Sequence, residues 1–317
     1  MGSLSAQDGL RWHGVLGRRN RRQARYRLAP SLRRSAGEPV DFIQISKPRP
    51  KITLVTLNRP ERMNAMAFDV MIPLRDALRD ISFDNETRVV VVTGAGRGFS
   101  SGADHKDDGV IPHIAGLTVP TIARRALKVL DEVILSIRDM HQPVIGAING
   151  AAIGGGLCLA AACDIRVASS EAYFRAAGIN NGLTSAELGL SYILPRAIGS
   201  SRAFEIMLSG RDVDAAEADR IGLVSQVVEP EALLETCYAL AERIIGYSHV
   251  GVELTKQLLW ASLDAGGLHA HMNHEGHAQL YVRLTTENFE ESVRARAEGR
   301  KPVFLDQRGY GHKLDPQ

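Results

Sequence analysis

Residues 143–164 read PVIGAINGAAIGGGLCLAAACD, and the architecture turns on how this run is parsed. Between Val144 and Cys163 the only strongly polar residue is Asn149, and about 20 apolar residues in a row can cross a bilayer as a helix. Gly146, Gly150, Gly154, Gly155 and Gly156 argue against a span, because they leave little apolar area to face lipid. Pro143 and Asp164 bracket the run. It therefore reads as three pieces in series: a buried strand over 144–148, a glycine turn, and a buried helix starting near Gly155.

The same pattern stands upstream. Residues 89–92 form a continuous valine run that reads as a strand buried on both faces and ending in a glycine turn. Ile122, Ala126, Leu130, Val133, Ile134 and Ile137 then make one face of a long helix, with Arg124, Arg125, Lys128, Asp131 and Arg138 mostly off it. Strand-like pieces at 42–45 and 52–57 open the body. Helical spacing follows through Phe68, Met71, Ile72 and Ile81, with Pro73 expected to mark the helix start or to bend it. Beyond Gly199 strand signals thin and helices dominate, at 203–208, 215–221, 231–245 and 252–265. The expected organisation is an Arg-rich arm over 1–40, an α/β core over 41–199 and a helical region over 200–317, the last suited to oligomer contacts.

The chain has 317 residues, 44% hydrophobic and 23% charged, with 30 Gly, 13 Pro and 3 Cys. This composition excludes a collagenous chain, a disulfide-stapled secreted module and a mostly disordered protein. Net charge is +2, but residues 1–40 carry nine Arg against two acids, leaving 29 basic and 34 acidic residues in the body. The body thus offers nucleic acid no broad basic face. The arm has the composition of a transit peptide, of a nucleic-acid-binding arm, or of an extension from a misassigned start codon. Cys158, Cys163 and Cys237 are an odd number without metal-ligand spacing, so no disulfide is expected. Arginine outnumbers lysine 31 to 7, a bias of high-GC bacterial genomes that suggests a cytoplasmic protein.

Several motifs fail on inspection. Gly94-Ala95-Gly96-Arg97-Gly98-Phe99 follows a strand, but Phe99 replaces the third glycine of a dinucleotide fingerprint and a loop replaces its helix. His269, His271, His274 and His277 cluster, yet His274-Glu275-Gly276-His277 is one residue short of the metalloprotease spacing, so no metal is expected. Two glycine turns carry more: Ser101-Gly102-Ala103-Asp104 and Gly154-Gly155-Gly156 each follow a buried strand. If they converge, two backbone N–H groups can hold a carbonyl oxygen as it gains negative charge, helped by the positive end of the helix near Gly155. The same glycines also suit tight turns and close packing.

Leu57-Asn58-Arg59-Pro60 with Asn64-Ala65, then FSSGADHK over 99–106, the opening stretch 143–164, LPRAIG over 194–199 and Gly222-Leu223-Val224 together resemble the enoyl-CoA hydratase and isomerase family, the crotonase superfamily. The resemblance spans roughly residues 42–260, in order and at the expected separations. It implies an α/β fold, a spiral of ββα units with a C-terminal helical region that assembles trimers or dimers of trimers. It also implies acyl-CoA thioester substrates, with CoA entering as part of the substrate and no separate cofactor.

By that resemblance Ala103 and Gly155 match the oxyanion-hole residues, and Arg62, Ala103, Asp104, His105, Lys106 and Gly155 match substrate-binding positions. Lys106 would neutralise a CoA phosphate or stand solvated, and Asp104 reads more as a structural turn residue than as a base. Two departures bear on the reaction. Hydratases of the family use two glutamates to hold and deprotonate water, and here those positions are Cys158 and Gly178. Cys158 reads as a packed thiol. Glu187, among apolar neighbours eight residues before Pro195, resembles the single acid of several enoyl-CoA and dienoyl-CoA isomerases, while pairing with an arginine or capping the following helix is its structural alternative. The expectation is a double-bond isomerase with Glu187 as its acid–base group. The alternatives are a hydratase with a rebuilt water site using Asn180 or Asn181, another enolate reaction, or an acyl-CoA-binding subunit without catalysis.

Overall fold

The computed structural model describes residues 41–106 and 109–307. The Arg-rich arm over 1–40 lies outside them. Strands β1 (Ile43–Arg49) and β2 (Ile52–Leu57) form a hairpin, followed by α1 (Phe68–Ser82). Then come three units in which a long strand, a three-residue strand and a helix succeed one another. The first is β3 (Val89–Gly94), β4 (Gly98–Ser100) and α2 (Val119–Asp139). The second is β5 (Val144–Ile148), β6 (Ala151–Ile153) and α3 (Gly155–Ala162). The third is β7 (Ile165–Ser169), β8 (Tyr173–Arg175) and α4 (Leu190–Ile198).

Each long strand joins one sheet, ordered β1-β2-β3-β5-β7. Each short strand joins another, ordered β4-β6-β8. Within both, successive units pair in parallel, so the chain winds as a spiral of ββα turns. The large sheet is buried on both sides. Val90 and Val92 of β3 face the core beneath α1, α2 and α3, whereas Val89 and Val91 face the opposite layer with Ile145 and Ala147. That is why 89–92 reads as an unbroken valine run rather than an alternating one. The 143–164 stretch resolves into β5, β6 and α3, and among the described residues no helix is long and apolar enough to cross a membrane.

After Gly199 come α5 (Ser200–Ser209), β9 (Asp212–Asp214), α6 (Ala215–Arg220), β10 (Gln226–Val228) and α7 (Leu233–Ile245). β9 closes the small sheet on β8, and β10 extends the large sheet from β7. Leu233, Cys237, Tyr238 and Ala241 of α7 cover the far face of the large sheet. Helices α8 (His249–Asp264), α9 (Leu268–Thr285) and α10 (Asn288–Ala297) end the described chain. A buried lysine ties α8 to the core: Lys256 Nζ donates to the carbonyls of Ile137 (2.8 Å) and Gln142 (2.9 Å) and pairs with Asp164 at 2.9 Å.

One element differs from its expected form. Helix α1 begins at Phe68, a full turn before Pro73, which sits inside it. Pro73 lies on the solvent-exposed side, so its missing N–H costs one backbone hydrogen bond and no core packing.

Candidate active site

The two glycine turns converge. Met66 forms a parallel bridge with Ala103, in which the Met66 N–H donates to the Gly102 carbonyl (2.7 Å) and the Asp104 N–H donates to the Met66 carbonyl (3.2 Å). A parallel bridge of this kind uses the groups on either side of Ala103, so its own N–H points away from Met66. Gly155 is the first residue of α3, whose first intrahelical bond runs from the Cys158 N–H to the Gly154 carbonyl at 3.0 Å. The Gly155 N–H is thus one of the donors a helix start leaves without an internal partner, at the positive end of the helix dipole.

Close approach brings the two arms together. A Cβ on Gly102, at φ +79°, would stand 3.2 Å from the Gly155 nitrogen and 2.5 Å from the Ile153 carbonyl oxygen. A Cβ on Gly156 would stand 2.3 Å from the Ser100 carbonyl oxygen, so α3 can dock on β4 only with glycine there. Among the described residues neither the Ala103 nor the Gly155 N–H donates a hydrogen bond.

Buried polar groups hold the Ala103 arm. Asp104, with 2% of its side chain exposed, pairs with Arg59 at 3.0 Å and with Arg62, and its Oδ1 accepts from the Lys106 N–H at 2.9 Å. Asn64 is fully buried; its amide donates to the carbonyls of Ala95 (3.0 Å) and Gly98 (2.8 Å), and its Oδ1 accepts from the Arg59 N–H (2.8 Å). Asp104 therefore sits as the anchor of the turn, while His105 and Lys106 are exposed beside it. Arg62 is spoken for by Asp104, with 30% of its side chain still in solvent. Nothing in the sequence announces the Arg59–Asp104 pair, since the two residues lie far apart in the chain and the Met66–Ala103 bridge joins their segments.

Next to the second glycine turn, Glu187 Oε1 lies 3.6 Å from where a Cβ on Gly154 would stand. Burial alone raises its carboxyl above the ordinary glutamate range. The Glu187 backbone is gripped too, its carbonyl accepting from the Leu190 N–H (2.8 Å) and from the Cys158 thiol (3.6 Å). The two positions expected to lack a carboxylate now have local reasons. Cys158 is buried under Glu187, and its thiol is pushed up far from ionisation by that burial. Gly178 opens a one-turn helix over Ile179–Asn181, and a Cβ there would fall 2.0 Å from the Thr184 carbonyl oxygen. Asn180 is turned away, donating to the Gly210 carbonyl at 3.1 Å. Of the clustered histidines, His271 is buried within 3.5 Å of Glu275, and His269, His274 and His277 are exposed on α9.

A family model described as enoyl-CoA hydratase/isomerase matches residues 49–307. The chain belongs to the enoyl-CoA hydratase/isomerase family. A Mycobacterium tuberculosis protein named "Probable enoyl-CoA hydratase EchA12" is 67% identical over 267 residues, covering 84% of this chain and 94% of the relative. A Mycobacterium abscessus structure described as a probable enoyl-CoA hydratase/isomerase is 67% identical with a TM-score of 0.81, over 84% of this chain and all of that one. A structure from M. smegmatis described as a monofunctional enoyl CoA isomerase is 59% identical with a TM-score of 0.62, over 73% of this chain and 98% of that one. These likenesses establish the crotonase fold and the enzyme family; their names divide between hydratase and isomerase.

Proposed function

We propose that this protein isomerises 3-enoyl-CoA thioesters to 2-enoyl-CoA thioesters, with Glu187 as the single acid–base group. The observation that carries the reading is one half-buried carboxylate beside Gly154, next to two N–H donors, of Ala103 and Gly155, that no group of the described residues accepts from. The thioester oxygen accepts from Ala103 and Gly155. Glu187 takes a proton from C2, and that C–H pair moves into the C1–C2 bond while the carbonyl pair becomes the enolate oxygen's charge. The enolate collapses: the oxygen pair restores the carbonyl, the C1=C2 pair moves to form C2=C3, and the former C3=C4 pair takes the proton back from Glu187 at C4. No atoms are gained or lost and no cofactor is consumed.

Both halves of the site serve that sequence. The donors are aimed where charge develops and need no reorganisation as it appears. Burial raises the carboxyl toward neutrality, which lets one group act as base and then as acid. Hydration by the two-carboxylate route is disfavoured by Cys158 and by the absence of room at Gly178. The hydratase reading draws its support from the name of the 67% identical M. tuberculosis relative.

Glu187→Gln separates the possibilities. Turnover should fall by about 10²–10⁴, the usual worth of a positioned acid–base group, with CoA-ester binding retained. Undiminished turnover would overturn the assignment, and retained binding in a wild type without turnover would favour a binding subunit.

We also propose a cytoplasmic homotrimer or dimer of trimers. Leu268, Met272, Leu280, Tyr281 and Leu284 of α9 and Phe289 of α10 are each more than half exposed, apolar side chains that a partner chain would cover. Sedimentation should find three or six chains; a stable monomer would count against it.

A further inference from the structure

Leu188 stands in a left-handed backbone conformation at φ +46°, followed by Gly189 at +79°. A glycine would take that conformation without strain, whereas a leucine held there is costly and marks a site where its side chain is needed. The side chain has two faces. On one, Cδ1 lies 3.8 Å from where a Cβ on Gly155 would stand, beside the N–H proposed to hold the thioester oxygen. On the other, Leu188 lines a cleft of about 340 Å³ between α2 and α4, with Ile134, Leu135, Tyr192 and Ile193 around it. Asp131, Arg138 and Asp264 also line the cleft. Leu188 is therefore the partition between the reacting end of the site and this adjoining cleft.

An acyl chain fixed by its carbonyl at Gly155, with C2 and C4 within reach of Glu187, must continue past Glu187. Leu188 follows Glu187 in the chain, and its side chain reaches from beside Gly155 to the cleft. We propose that Leu188 is the wall that sets acyl chain length, and that the cleft behind it is closed to substrate only by this one side chain. The proposal rests on the acyl-CoA reading of the site, and the specificity it assigns belongs to the carbons beyond C4.

The test compares kcat/KM for 3-hexenoyl-CoA and 3-decenoyl-CoA in the wild type and in Leu188→Ala. Opening the wall should raise the decenoyl-to-hexenoyl ratio at least about tenfold, since each methylene that becomes buried contributes about fourfold. Adding Ile134→Phe to Leu188→Ala refills the cleft from its far side and should bring the ratio back down. A ratio unmoved by Leu188→Ala, or unmoved by the second substitution, would overturn the proposal. Should Leu188→Ala fail to fold, Leu188→Phe carries the test in reverse: the thicker wall should lower the hexenoyl-to-butenoyl ratio, and an unchanged ratio would overturn it. Glu187→Gln assayed alongside keeps the two readings apart: lost turnover there with a chain-length ratio unmoved by Leu188→Ala overturns the wall and spares the base, and undiminished turnover with a moved ratio does the reverse.

Discussion

Replacing Gly102 with alanine strikes at the point where the two arms of the proposed oxyanion hole meet. The new methyl would stand 2.5 Å from the Ile153 carbonyl oxygen and 3.2 Å from the Gly155 nitrogen, on a backbone at φ +79°. A left-handed backbone costs a residue with a side chain about 1–2 kcal/mol, and forced overpacking about 1–3 kcal/mol, so Gly102→Ala should lose about 2–5 kcal/mol of stability. Backbone, not a flexible side chain, is the obstacle, so the strain can be relieved only by separating Ala103 from Gly155. Misplacing one of two oxyanion donors lowers kcat by about 10²–10³. Urea unfolding, followed by fluorescence with the slope checked for constancy, gives the first quantity, and steady-state turnover of 3-hexenoyl-CoA gives the second. A variant with the wild-type midpoint and the wild-type kcat would refute the reasoning.

Other consequences follow from the same geometry. Asp104→Asn leaves Arg59, with 8% of its side chain exposed, only Glu61 at 3.9 Å as an ionised partner; breaking a buried pair costs about 3–5 kcal/mol, and the lower end is expected because Glu61 remains and Arg62 can turn to solvent. Chemical denaturation measures it, and a loss under 1 kcal/mol would mean the pair does not anchor the turn. The raised carboxyl of Glu187 should give kcat/KM an acid limb above the ordinary glutamate value of 4.5, activity rising with pH as the base ionises. Because the folded protein holds this proton more tightly than the unfolded chain does, stability falls as pH rises from the unfolded toward the folded value. Glu187→Gln should therefore melt higher than the wild type at neutral pH, and a lower melting temperature would contradict the burial account.

The parts of the fold legible in the sequence are those whose burial imposes a pattern. The valine run at 89–92 and the stretch at 144–148 are buried on both faces of the large sheet, and α2 carries its apolar stripe against the core, so each reads directly from periodicity. Strands β4, β6 and β8 are three residues long, too short for any alternation to register, and only the family resemblance implied a second strand in each unit. Strand signals thin beyond Gly199, yet β9 and β10 lie there and pair with the two sheets through backbone groups that the side-chain pattern does not reveal. At the proposed site, Ala103, Gly155 and Glu187 are legible only through motif position. What the sequence withheld is tertiary: the Arg59 clamp on Asp104, the Cys158 thiol under the Glu187 carbonyl, and the left-handed Leu188, a conformation that a leucine gives no reason to expect.

The central claim is that one carboxylate moves a proton between C2 and C4 while no water is activated. Incubating the protein in D2O with 3-hexenoyl-CoA and, separately, with crotonyl-CoA, and following double-bond position, hydration and deuterium content by NMR and mass spectrometry, tests it directly. The account predicts conversion of the 3-enoyl ester to the 2-enoyl ester, with little hydration of either. Rapid formation of the 3-hydroxyacyl ester from crotonyl-CoA would contradict it.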